Sequence, residues 1–151
     1  MNKIIVIYSK TGNTLGVAKK IQETGSFDLK EVKAKSDDPN IPNPELINIP
    51  DVVGYDYVVF ASPVHAFSLS RIMNAYLSQL PDLSGKTIDL FITHLFPFAW
   101  MGGNHTLKQM KKLVESKNGA VRHMTSINWK SKNRESTIDQ MIKIYTDEKT
   151  I

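Results

Sequence analysis

Six residues near the start of the chain, Ser9-Lys10-Thr11-Gly12-Asn13-Thr14, carry three hydroxyls, one ammonium, one side-chain amide and one glycine. They follow a continuous apolar run from Ile4 to Tyr8. They precede a stretch with Thr14, Val17, Ala18 and Ile21 at i, i+3, i+4 and i+7. An unalternating β-branched run reads as a strand buried on both faces, and the period after it reads as a helix packed on that strand. The hexapeptide is then a tight turn into a helix N-terminus, where free N–H groups and the helix dipole favour an anion. A nucleotide triphosphatase loop would need Gly-x-x-x-x-Gly-Lys-Ser/Thr, and a dinucleotide fingerprint Gly-x-Gly-x-x-Gly; neither is present. A compact hydroxyl-rich loop suits one terminal phosphate monoester. The alternative is an ordinary strand–turn–helix with solvent-facing hydroxyls.

Two later stretches hold the other candidate chemistry. Ser62-Pro63-Val64-His65-Ala66-Phe67 follows a second apolar run. Thr93-His94-Leu95-Phe96, continuing through Phe98, Trp100, Gly102 and Gly103, follows a third. Histidine is the side chain that changes charge near neutral pH, so His65 and His94 are candidates to hydrogen-bond or respond to a ligand. Their alternative is a histidine satisfied by local backbone. A metal site from His65, His94 and His105 is weak, because no paired spacing such as His-x-x-x-His occurs. No nucleophilic triad or carboxylate pair can be argued.

The loop Ser9-Lys10-Thr11-Gly12-Asn13-Thr14 resembles the phosphate loop of the flavodoxin family, Ser/Thr-x-Thr-Gly-x-Thr, at every specified position. Ala61-Ser62-Pro63 resembles the family's Gly/Ala-Ser-Pro pattern. The resemblance implies FMN as cofactor, with its phosphate on Ser9, Lys10, Thr11, Gly12, Asn13 and Thr14. It implies that the flavin ring is wrapped by the two later loops, through Ser62, Pro63, Val64, His65, Ala66 and Phe67, and through Thr93, His94, Leu95, Phe96, Trp100, Gly102 and Gly103. Trp100 or Phe96 is expected on one face of the ring, and His65 or Phe67 on the other. Many flavodoxins have a glycine in the loop after strand three, whose peptide turns to bond the reduced flavin. Here that loop has none, and non-glycine residues resist φ > 0. Weaker stabilisation of the one-electron-reduced flavin is therefore expected.

The elements that must position these loops alternate. A second strand is expected over 27–33. The stretch 36–50 holds Pro39, Pro42, Pro44 and Pro50 and resists a long helix; one short turn is expected at 44–47, with Pro44 at its first position. A third strand is expected over 55–61, a loop over 62–67, and a helix marked by Ile72, Met73, Tyr76, Leu77 and Leu80. A fourth strand follows over 87–93, then a helix through Leu107, Met110 and Val114. A fifth strand over 120–127 and a helix with Ile138, Met141, Ile142 and Tyr145 complete the chain. The expectation is an α/β three-layer sandwich: a five-stranded parallel sheet of order 2-1-3-4-5 with helices on both faces, as one short-chain flavodoxin-like domain over 1–151. Ligands of such sheets bind beyond the carboxyl ends of the strands, where the three loops converge.

Composition narrows the function classes. The chain has 151 residues and no cysteine, which excludes disulfides, thiol nucleophiles and cysteine-ligated iron–sulfur clusters. Redox chemistry would need a bound organic cofactor or a metal without thiolate ligands. The net charge is +4, with lysines scattered over several helix faces, and a solvated surface is favoured over nucleic-acid binding. Flavodoxins in general are acidic, so this chain departs from the pattern, and a potential less negative than in acidic relatives is expected. No apolar run approaches membrane-spanning length and the N-terminus lacks signal-peptide order, so a cytoplasmic location without membrane association is expected. The leading expectation is an electron carrier between redox partner proteins. The alternatives are an NAD(P)H-dependent flavin or quinone reductase, which would be an oxidoreductase enzyme, and a flavin-free interaction domain.

Overall fold

The computed structural model describes residues 1–96 and 103–151. Eight strands and four helices run in the order β1 (Lys3–Ile7), α1 (Asn13–Gly25), β2 (Asp28–Glu31), β3 (Lys33–Ala34), β4 (Leu46–Asn48), β5 (Tyr57–His65), β6 (Ser68–Leu69), α2 (Arg71–Ser78), β7 (Thr87–His94), α3 (Gly103–Ser116), β8 (Ala120–Asn128) and α4 (Arg134–Tyr145). A short 3₁₀ turn, Glu148–Thr150, follows. The main sheet has the order β2-β1-β5-β7-β8 with every neighbour parallel. Counting only its five long strands, this is the expected order 2-1-3-4-5.

Alternation within β1 divides the core. Ile4 and Val6 face one way, toward Val58, Phe60, Leu90 and Ile92 and toward α2 and α3 through Ile72, Met73, Leu77, Leu107, Met110 and Val114. Ile5 and Ile7 face the other way, toward Val59 and Phe91 and toward α1 and α4 through Val17, Ala18, Ile21, Ile138 and Met141. Successive strand side chains point to opposite faces, so a run apolar at every position needs a layer on each side. Each isoleucine fully removed from water there contributes about 1.5–3 kcal/mol.

Two expectations are corrected. Residues 44–47 do not form a helical turn. Leu46–Asn48 is instead a strand, paired antiparallel with Lys33–Ala34 in a small separate sheet. The prolines exclude a helix but leave extended backbone open. The third long strand does not stop at residue 61. It continues through Ser62, Pro63, Val64 and His65, turns at Ala66-Phe67, and returns as β6, with Val64 opposite Leu69 and His65 opposite Ser68. β1 ends opposite Ala61, so beyond it β5 has an open edge, where a proline is tolerated. No described helix is long and apolar enough to cross a membrane.

Candidate functional site

The first loop ends in a left-handed N-cap: Gly12 has φ 94° and stands in open space. Only glycine adopts that angle without strain. Gly12, the N-cap residue, has no side chain to accept from the helix amides. The Ser9 hydroxyl accepts from the amide of Leu15 at 3.3 Å, and Gly12 O accepts from Gly16 N at 2.9 Å. The amides of Asn13 and Thr14 find no acceptor among the described residues. The turn thus presents unfilled donors at the carboxyl end of β1.

Asn13, with Lys10 and Thr11 before it, opens onto a cavity of about 340 Å³. Lys10, Thr11 and Asn13 line one part of it. Pro63, Val64, His65, Ala66 and Phe67 line a second, and Thr93, His94, Leu95 and Phe96 a third. The three loops singled out in the sequence therefore share one space. Phe96 lies stacked on His94, with centroids 4.7 Å apart and planes 21° off parallel. The Phe67 ring meets Phe96 at 5.3 Å.

His94 is buried, and its Nδ1–H donates to the carbonyl of Phe96 at 2.8 Å. Burial lowers its pKa, and the Phe96 carbonyl only partly offsets that. The imidazole is therefore neutral at pH 7, with the Nε2 lone pair free to accept.

Several expected residues do not face the cavity. Thr14 is buried, with its hydroxyl paired to that of Thr93 at 2.9 Å, so it pins α1 to β7 rather than lining the space. Ser62 is sealed, its hydroxyl within 3.1 Å of Ser70 Oγ and donating to Pro63 O at 3.0 Å. Gly103 makes room for a neighbouring strand, not a ligand: a Cβ there would stand 2.8 Å from Ser126 Oγ. Ser9 and Gly12 shape the turn from behind. Trp100 and Gly102, with Phe98, lie outside the described residues. The expectation that a glycine-free second loop avoids positive φ is also corrected: Ala66 and Phe67 sit at φ 46° and 64°. A two-residue hairpin with a type I′ turn requires positive φ at both central residues, and the pairing of β5 with β6 is closed by such a turn.

Tyr8, Asp37, Pro39, Ser70, Arg71 and Ile72 also line the cavity and were missed. Tyr8 reads in sequence as the last apolar residue of a strand. Its hydroxyl instead donates to Asp37 Oδ1 at 3.3 Å, and burial, reinforced by the Asp37 charge, pushes its pKa to about 12. Arg71 donates through Nη1 to Asn40 O at 2.9 Å. These two bonds tie the proline-rich segment to the cavity mouth. The only sequence signal was that this segment takes the place of a helix.

No family model matches the chain, and no curated protein matches it. Solved structures do. The Streptococcus pneumonia TIGR4 flavodoxin superposes with a TM-score of 0.72 at 14% identity, over 99% of both chains. A putative flavoprotein from Bacteroides eggerthii gives 0.71 at 18%, over 97% of this chain and 99% of that one. A flavoprotein from Lactobacillus acidophilus, solved in complex with FMN, gives 0.66 at 18%, over 92% and 97%. The fold is therefore flavodoxin-like.

Proposed function

We propose that this chain binds FMN in the cavity and carries electrons between redox partner proteins. The observation that carries this reading is the continuity of a donor-rich turn with an aromatic-walled space. The unfilled amide of Asn13, the Thr11 hydroxyl and the Lys10 ammonium suit a terminal phosphate. Phe96 and Phe67 supply apolar faces that exclude water from a flat ring. Neutral His94 offers Nε2 as an acceptor, while its Nδ1–H is held by the chain. A bound flavin would supply the electron chemistry; the protein binds, orients and shields it. The FMN complex of the Lactobacillus acidophilus neighbour supports the choice of cofactor.

The test is an absorbance spectrum of the protein after incubation with excess FMN and desalting. Retained bands near ~450 and ~375 nm are expected of a bound oxidised flavin. A colourless protein that leaves FMN fluorescence unquenched would overturn the reading. An NAD(P)H-dependent reductase on the same fold is the second reading. It is favoured by the polar wall of Tyr8, Asp37 and Arg71, which a carrier would not need. Rapid bleaching of the flavin by NAD(P)H alone would establish the reductase; slow or absent bleaching would leave the carrier.

A further inference from the structure

Two described stretches lie together: residues 57–81, through β5, β6 and α2, and residues 90–96 and 103–114, through the end of β7 and most of α3; their loops line the cavity, and α3 packs against β6 beside it. Together they contain Arg71, Lys108, Lys111 and Lys112 and not one aspartate or glutamate. Lys111 is paired with Glu115 at 3.7 Å. Arg71, Lys108 and Lys112 are exposed and form no ion pair among the described residues.

The helix is held against the hairpin at this point. The side-chain oxygen of Gln109 accepts from Ser68 Oγ at 3.1 Å and from Leu69 N at 2.9 Å. Lys108 adjoins Gln109 on this helix, and Lys112 lies one turn further along. At the tip Phe67 is 54% exposed and in ring contact with Phe96, and Leu95, next to Phe96 in the chain, is 53% exposed. Large apolar side chains standing out of a surface, rimmed by one sign of charge, are the arrangement of a docking site. Among the described residues that line the cavity, Asp37 is the one acid, and it is bonded to Tyr8.

We infer that this face docks an acidic partner protein. The carboxylates of that partner meet Arg71, Lys108 and Lys112, and an apolar contact covers Phe67 and Leu95. The inference rests on the electron-carrier reading for its purpose, and it identifies the charge of the partner. Complementary charge acts mainly by steering encounter and fixing orientation, and it is screened by salt. Docking at Phe67 and Leu95 would bring the partner to the cavity mouth.

The test is a shift map of the ¹⁵N-labelled full chain titrated with a short poly-glutamate peptide, with and without excess FMN, at low and high salt. The expected result is peptide-dependent shifts gathered at residues 66–71 and 103–112, lost at high salt. In the Lys108→Glu/Lys112→Glu variant, affinity should fall about tenfold. The Lys19→Glu/Lys143→Glu variant changes the net charge equally on α1 and α4, on the opposite face, and should bind nearly as tightly as the parent. Shifts spread evenly over all lysines, or equal losses in the two variants, would overturn the inference. Shifts at residues 9–14 on adding FMN report cofactor binding separately, so failure of the docking face and failure of the cofactor reading are distinguishable.

Discussion

Ala66 and Phe67 hold backbone angles that cost non-glycine residues about 1–2 kcal/mol each. Asparagine tolerates the left-handed region better, so Ala66→Asn should stabilise the protein by about 0.5–1 kcal/mol, read from urea midpoints. The hydroxyl pair of Thr14 and Thr93 makes the opposite case. Thr14→Val keeps the shape but leaves the buried Thr93 hydroxyl without a partner, at a cost of about 1–3 kcal/mol. Thr14→Val/Thr93→Val should cost less than the sum of the two single changes, which a double-mutant cycle measures. His94 sets a pH dependence. Its folded pKa lies below the ordinary 6.5, so the unfolded chain binds the extra proton first. Stability from this group is full above pH 6.5 and is lost as pH falls from there toward the folded value. Urea midpoints measured against pH should show that decline in the parent and a flatter profile in His94→Asn, whose amide can still donate to the Phe96 carbonyl.

At the scale of elements, β8 is one of the two edges of the sheet and is anchored by a buried charge. Asp89, wholly buried on β7, accepts from Arg122 Nη2 at 2.6 Å, from Arg122 Nε at 3.2 Å and from the backbone of His123 at 2.9 Å; Tyr57 also donates to it. Burial, the Asp89 charge and that hydrogen bond all raise the pKa of Tyr57, which therefore stays protonated and remains a donor. Arg122 continues to Thr150 Oγ1 at 2.9 Å, so one guanidinium joins two strands and the C-terminal turn. Arg122→Met would leave a buried carboxylate without its cation, at a cost of about 3 kcal/mol. Hydrogen exchange should show the loss first along β8. The proline-rich segment is an element of another kind. Lacking the helix such a position usually carries, it forms part of the cavity wall, tied by Tyr8–Asp37 and Arg71–Asn40.

Over the whole molecule, the charge pattern and the layer pattern were legible at different depths. The net charge of +4 was visible at once, but it read as scattered lysines. Only the packing of α3 against the β5–β6 hairpin brought the helix of Lys108 and Lys112 to the same side of the fold as Arg71. The sheet order and the two covering layers followed from local periodicity. A strand apolar at every position and a helix apolar at every third or fourth leave few ways to bury both. The turn at residues 9–14 was legible for the same reason: its backbone is specified by neighbours in the chain, and Gly12 marks the one angle that requires glycine.

What local sequence could not carry was decided by contacts distant in the chain. Ser62 and Thr14 look like donors for a ligand, and each is consumed by a hydroxyl 8 and 79 residues away. Pro63 looks like the end of a strand, and it lies within one because β1 stops opposite Ala61 and leaves an open edge. Tyr8 looks like core and is part of a cavity wall, because Asp37 comes to meet it. By itself the sequence determined the order of elements, the core stripes and the position of the tight turn between β1 and α1, since these depend on spacing of 2 or 3.6 residues. Tertiary structure alone decided which polar groups stay open to a ligand, since that depends on which partners the fold brings within hydrogen-bonding distance.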